Sequence, residues 1–272
     1  MNIHNIIFGT MIQHLWSQVV SRSRFLARAK DRHSVHSPYL ADFIDQVFLA
    51  KKLPNDVGHI EDLRKDILRS KEVIEVEDLG AGSHKTKGRL RNVSEIGRYA
   101  LKKQKDAAIL FRTAEYLKAK TILEMGTSLG TTSLYLSSVP NSQVFTMEGC
   151  PNTLALAEDH FAQFGRQNIT SILGDFYKTL PELLERIDSI DLAFVDGNHQ
   201  KEPTLFYFEL LLPKLHNNSL LVFDDIHWSP EMEAAWETIK ADPRTIITVD
   251  IHRMGFVFFR KEMTAKHFDL RY

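Results

Sequence analysis

Five short runs rich in β-branched and aromatic residues, separated by stretches with helical spacing, constrain this chain more than any other feature. The runs are TILEM (121–125), QVFTME (143–148), ITSIL (169–173), DLAFVD (191–196) and SLLVFDD (219–225). Helical spacing fills the gaps near 131–138, 153–164, 180–187 and 204–215, and follows again at 232–240. A strand that returns through a helix lies parallel to its predecessor, so these runs predict a parallel sheet covered on both faces. The next pair, TIITVDI (245–251) and FVFFR (256–260), has only His252, Arg253, Met254 and Gly255 between its members. That connection is too short for a crossover helix, so the pair is expected to form an antiparallel hairpin.

The first part of the chain reads differently. Leu15, Val19, Val20, Phe25 and Leu26, then Leu40, Phe43, Ile44, Val47 and Phe48, are spaced as amphipathic helix faces. Ser37-Pro38 supplies a cap and a first-turn proline for the second group. Periodicity fades between Pro54 and Gly88, which predicts a mobile connection, and a helix is expected from Glu95 to Lys118. The expected division is a helical extension or lid over 1–118 and an α/β domain over 119–272.

Composition narrows the partners. Lys plus Arg number 34 against 35 Asp plus Glu, so no overall field points to nucleic acid. Cys150 is the one cysteine, which excludes an intrachain disulfide and suits a packed thiol in a reducing cytoplasm. The apolar opening, 5–20, is broken by Gln13, His14 and Gln18 and falls short of the ~20 apolar residues of a membrane span. It also lacks the basic front and cleavage site of a secretion signal. Arg22, Arg24, Arg28, Lys30 and Arg32 follow it, which leaves contact with an anionic membrane surface as a minor alternative.

Chemistry gathers at the ends of the runs. The first closes on Glu124-Met125-Gly126-Thr127-Ser128-Leu129-Gly130, an E-x-G-x-x-x-G turn that lets backbone approach a ligand. A dinucleotide fingerprint would need glycine where Ser128 stands. The second run ends in Glu148, 18 residues past Gly130, where a carboxylate can accept from both ribose hydroxyls. After the third comes Gly174-Asp175-Phe176, a carboxylate and a ring suited to a purine, or a simple turn. Asp78-Leu79-Gly80-Ala81-Gly82-Ser83 mimics a glycine turn, but a basic stretch follows rather than an apolar helix. That stretch, through Lys105, reads as a solvated face or as a lid over an anionic substrate.

A terminal hairpin on a five-strand parallel sheet, with this glycine turn and these strand-end acids, resembles the class I S-adenosylmethionine-dependent methyltransferases. The likeness covers roughly 121–260. It implies a Rossmann-like α/β sheet of five parallel strands plus the C-terminal hairpin, carrying the helical region as an N-terminal extension. It implies that Gly126, Ser128 and Gly130 line the methionine part of the cofactor, that Glu124 faces its ammonium, and that Glu148 and Asp175 hold ribose and adenine. Small-molecule methyltransferases use such N-terminal additions as lids or dimer contacts, so a homodimer is among the expectations.

Asp196, Asp224 and Asp225 end the fourth and fifth runs, with His199 three residues past Asp196. Oxygen-rich, sulfur-free clusters suit Mg²⁺ or Ca²⁺. The pattern Asp196-Gly197-Asn198-His199 with Asp224-Asp225 resembles metal-dependent O-methyltransferases of the macrolide-sugar type. That implies Asp196, Asp224 and Asp225 as magnesium ligands, with Asp196 also at the cofactor, and His199 as general base toward a small hydroxylated substrate. Capping acids and an ordinary loop histidine are the alternative. Functionally, the rivals are a metal-independent methyltransferase with another acceptor and a noncatalytic protein that keeps the cofactor-binding fold. Trp228, Met232 and Trp236 are expected along one helix face.

Overall fold

The structure is a computed structural model and describes residues 18–77 and 89–272. The mimic glycine turn and the basic residues His84, Lys85 and Lys87 lie outside the described residues, as does most of the apolar opening.

In chain order, β1 (Val73–Glu75) and β2 (Leu90–Asn92) form a small antiparallel ribbon. The main sheet contains β3 (Thr121–Met125), β4 (Gln143–Glu148), β5 (Ile169–Leu173), β6 (Ile190–Val195) and β7 (Leu215–Asp224). It continues with β8 (Ile247–Asp250), β9 (Met254–Phe258) and β10 (Lys266–Asp269). The order across it is β10-β8-β9-β7-β6-β3-β4-β5. Strands β3 to β7 are mutually parallel, while β9 runs antiparallel between β7 and β8. The expected five-strand sheet and hairpin are therefore present. Strand β10, parallel to β8, is an addition that a short polar run such as KHFD did not announce.

Alternation along the strands divides the core in two, because successive side chains point to opposite faces. Ile122, Leu192, Phe194, Leu220 and Val222 join one cluster, and Leu123, Ala193, Val195, Leu221 and Phe223 join the other. The helices Phe176–Arg186, Lys201–Leu211 and Pro230–Ala241 cover the second face through Leu180, Tyr207, Phe208 and Trp236. The N-terminal helices cover the first. Ser37 caps Pro38–Phe43, accepting from the Leu40 amide at 3.3 Å, and the helix continues as a wider π turn over Ile44–Leu49. Phe43 meets Phe258 and Tyr116 edge-on at 5.0 and 5.2 Å. The helical residues and the sheet thus share one apolar cluster.

Two expectations need correction. The segment read as a mobile connection contains the helix Val57–Arg69, whose Ile60, Leu63 and Ile67 are buried beneath a charged outer face. Tyr135 donates to Glu61 at 2.9 Å and stitches that helix to Thr131–Ser137. The single helix expected over 95–118 is two, Val93–Ala100 and Gln104–Leu117, with 101–103 between them. Leu101 and Lys103 adopt extended backbone angles, and the Arg64 guanidinium donates to the Lys102 carbonyl across the break. Among the described residues no helix is long and apolar enough to cross a membrane.

Residues 18–28 are helical and dock beside β8 through a buried polar group. Ser21 donates to Glu233, and His227 places Nδ1 3.1 Å from Glu233 and Nε2 2.8 Å from Asp250. With a carboxylate at each nitrogen, both donate and the ring is charged. Burial works against that charge, but the bonds to Asp250 and Glu233 outweigh it and raise the His227 pKa. His252 stacks on His227 with centroids 5.2 Å apart. Burial and the charged neighbour push its pKa down to about 4, so it stays neutral.

This arrangement predicts a sign. A histidine raised above its ordinary value of about 6.5 contributes fully below that pH, and the contribution disappears as pH rises through the folded value. Urea titrations between about pH 6.5 and 9 are expected to show wild-type stability declining with pH, and Asp250→Asn losing that slope. A slope unchanged in Asp250→Asn would remove the charged-imidazole assignment.

Candidate active site

The carboxyl ends of the parallel strands open onto a cleft of about 1310 Å³. It lies where the strand order reverses, with β4 on one side of β3 and β6 on the other, the edge at which open α/β sheets bind ligands. Gly126, Ser128, Glu148, Asp175, Asp196, His199 and Asp225 all reach its wall. Glu124, Gly130 and Asp224 do not.

At the tip of β3 the chain takes left-handed angles, φ +103° at Gly126 and φ 48° at Ser128. A β-carbon at Gly126 would lie 2.2 Å from the Asp196 carbonyl oxygen, so only glycine lets β3 and β6 close at this point. Gly130 has a different reason to be glycine: its β-carbon would meet the Phe161 ring at 2.6 Å. It serves the packing of Thr131–Ser137 on Pro151–Gln163 rather than the cleft wall.

Glu148 is aimed by backbone. Its Oε2 accepts from the Ser128 amide at 2.9 Å and its Oε1 from the Cys150 amide at 3.0 Å. The two amides fix the direction from which this carboxylate meets the cleft. Asp175 caps the helix Phe176–Arg186, accepting from the Tyr177 amide at 3.0 Å, so the turn reading and the cleft position hold together. Phe176 packs against Gly197 on the same wall.

Glu124 is fully buried. One oxygen accepts from Thr146 at 2.6 Å and from Ser133, while Oε1 has no partner. Burial pushes its pKa up to about 7 against those two bonds. An orphaned carboxylate oxygen suits a cationic group reached through water, and the Ser128 hydroxyl is also without a partner. Together with the Gly126 cradle and the oriented Glu148, these features fit the amino-acid and ribose portions of S-adenosylmethionine.

The acid cluster fits a metal less well. Asp196, His199 and Asp224 bring ligand atoms within 4.8 Å of one another, and Asp225 is not part of that group. Asp225 instead sits in a left-handed turn, its amide donating to the Arg253 carbonyl at 2.7 Å. The Lys102 ammonium lies 3.0 Å from Asp196 Oδ2 and in direct contact with Asp224 Oδ2. Magnesium takes oxygen ligands at about 2.0–2.1 Å, so an ion on those two oxygens would stand where the ammonium stands. The expected magnesium site of Asp196, Asp224 and Asp225 thus meets a resident cation, and as arranged the residues do not accommodate both.

Charge in this group follows from burial and pairing. Desolvation opposes the Lys102 charge, but Asp196, Asp224 and Asp225 outweigh it and raise its pKa. Burial likewise opposes ionisation of Asp196, yet Lys102 and His199 hold its carboxyl down to about 2. Asp224, the most enclosed, is pushed up by burial and by its neighbouring acids, with Lys102 pulling the other way. His199 Nε2 is 3.5 Å from Asp196 Oδ1. Burial would lower the imidazole pKa, but Asp196 and the nearby acids raise it.

Lys102 escaped the reading of the sequence because it lay inside an apparent helix among other basic residues. Trp228 precedes the helix Pro230–Ala241, which Ser229 caps, so it is not on the expected helix face and lines the cleft instead. Met232 and Trp236 are buried core residues. Cys150 is buried, accepting from the Glu77 amide at 3.4 Å, as a packed thiol should.

Residues 123–226 match a family described as a methyltransferase domain. Among solved structures, the O-methyltransferase from Bacillus cereus in complex with SAH is 13% identical, covers 81% of this chain and 97% of its own, and has a TM-score of 0.54. SAH-bound methyltransferase PaMTH1 from Podospora anserina is 16% identical, with coverage of 77% and 99% and a TM-score of 0.53. The O-methyltransferase TomG from Streptomyces achromogenes, involved in tomaymycin synthesis and solved with SAM, is 18% identical over 59% of this chain and 82% of its own, with a TM-score of 0.52. These likenesses establish the class I methyltransferase fold. Uncharacterized protein R132 of Acanthamoeba polyphaga mimivirus is 36% identical over 58 residues, 20% of this chain, and the match spans 26% of that relative's length.

Gly126→Ala is expected to lower unfolding free energy by about 1–3 kcal/mol, the cost of a β-carbon in left-handed backbone. Denaturant titration measures it; an unchanged midpoint would show that β3 and β6 have room to part.

Proposed function

From a methyltransferase domain on the class I fold, we propose that this chain is an S-adenosylmethionine-dependent O-methyltransferase acting on a small hydroxylated molecule. The observation that carries the reading is Glu148: two backbone amides orient its carboxylate into the same cleft that holds the Asp196–His199 pair. When bound, S-adenosylmethionine supplies a sulfonium methyl: an acceptor oxygen lone pair forms the new C–O bond, and the C–S pair returns to sulfur. Glu148 binds the ribose, Asp175 the adenine, and Gly126 and Ser128 the backbone-hugging amino-acid part. Glu124 compensates the ammonium from below.

His199 supplies the base. With Nε2 turned to Asp196, Nδ1 is the nitrogen left to take the acceptor's proton, and Asp196 stabilises the imidazolium that results. Segment 91–103, whose Arg91, Glu95, Ile96 and Tyr99 face the cleft, forms its substrate-side wall, which is the lid role proposed for the helical extension.

Isothermal titration with S-adenosylmethionine is expected to give saturable binding that Glu148→Ala weakens by at least about tenfold, the worth of a lost charged hydrogen bond. Binding indifferent to Glu148→Ala would remove the ribose assignment. Once an acceptor is identified by screening hydroxylated compounds for methyl uptake, His199→Gln should lower kcat by about 10²–10⁴, the usual contribution of a general base. A variant as fast as wild type would mean that another group takes the proton.

A further inference from the structure

We propose that the Lys102 ammonium is the built-in cation of this reaction centre, standing in the position that a divalent metal would need and meeting the acceptor oxygen in its place. The inference deepens the O-methyltransferase reading and rests on it for the identity of the acceptor atom, but the lysine's competition with a metal stands on geometry alone. Lys102 Nζ touches Asp224 Oδ2 and lies 3.0 Å from Asp196 Oδ2, one oxygen on each of two acids in the group whose ligand atoms lie within 4.8 Å of one another.

The lysine is delivered there by the backbone. Helix Val93–Ala100 stops and Gln104–Leu117 starts afresh, leaving extended residues at 101 and 103 that push Lys102 toward the strand tips. Arg64 holds the Lys102 carbonyl from the neighbouring helix. No proline or glycine stands at 101–103, so tertiary contacts keep the chain extended. A lysine held by main chain, by the buried Asp224 and by the partly buried Asp196 has little of the rotamer freedom that makes surface lysines poor positioning groups. Its side chain is only 15% exposed, and it still reaches the cleft wall.

An ammonium has three N–H donors, and Asp196 and Asp224 account for two. The third direction is open to chemistry at the cleft, where a hydroxyl oxygen hydrogen-bonded to a fixed positive charge loses its proton more readily. The acceptor proton passes to His199, the oxygen pair takes the methyl group, and the sulfur keeps the C–S pair, so no further reactant is required. A lysine cannot chelate two vicinal oxygens as a metal does. The site therefore favours a single acceptor hydroxyl over a chelating diol.

The test separates this inference from the cofactor assignment. Mn²⁺ titrated into the full chain, followed by electron paramagnetic resonance of the free ion, reports on the acids without any turnover. Wild type is expected to leave Mn²⁺ free through the millimolar range, and Lys102→Met to bind it at least about tenfold more tightly, since removing the ammonium leaves buried carboxylates uncompensated. Lys102→Gln serves the same purpose if the methionine variant does not fold, and adding Asp224→Asn to either should abolish the gained binding. Tight Mn²⁺ binding by wild type, or no gain in both Lys102 variants, overturns the proposal. S-adenosylmethionine titration of the same samples is read separately: failure there sinks the methyltransferase reading while leaving the Mn²⁺ result intact.

Discussion

The approach of β3 to β6 at Gly126 is the constraint on which the rest of the molecule turns. A glycine with φ +103° lies so close to the Asp196 carbonyl that no β-carbon fits between them. The two strands sit side by side where the sheet order reverses, and the Asp196 amide donates to the Met125 carbonyl at 2.8 Å. That closure fixes the acid at the end of β6 relative to the glycine turn after β3. The turn in turn presents the Ser128 amide to Glu148 at the end of β4. Three strand ends are thereby tied into one cleft by backbone geometry rather than by side-chain packing, which is a stiff way to hold polar groups that must meet a ligand.

Electrostatics then decide the character of the cleft. Three carboxylates crowd the ends of β6 and β7, and burial makes unshared charge on Asp196 and Asp224 costly. A cation must answer them. Lys102, carried in by the interruption between two helices, answers Asp196 and Asp224, and His199 answers Asp196 from the β6 loop. Two of the acids that look like metal ligands in a linear reading, Asp196 and Asp224, are thus already engaged. Whether such a cluster takes a metal or a lysine depends on what the helices above it bring within reach, not on the acids themselves.

The helical residues before β3 are more than a cover. Phe43, Ile60 and Ile109 belong to the same apolar cluster as Ile122 and Phe194 of the sheet, so the wall of the cleft and its floor are packed as one body. At the far edge, the His227 group ties residues 18–28 to Glu233 and Asp250, and Lys30 bridges to Leu270 beyond β10. These polar links sit beside the buried side chains of Phe25, Val249 and Leu270.

The parallel sheet, its terminal hairpin and the acids at the strand ends were legible in the residue order. Period-two burial, short connections and glycine turns are local properties, and they act over a few residues whatever the rest of the chain does. Glu148 and Asp196 could be found because a parallel strand always delivers its last residue to the same edge. The helix Val57–Arg69 was hidden by its charges, since three buried side chains at spacings of three and four are a faint stripe among polar neighbours. Strand β10 exists only because β8 offers it an edge. Lys102 could not be read at all: nothing local breaks the helix at 101–103. The partners that make the extended conformation stable, Arg64, Asp196 and Asp224, come from residues 38, 94 and 122 positions away. The sequence by itself determined which residues line the strand ends; only the folded chain decided which cation answers them, because charge compensation is settled by distance in space.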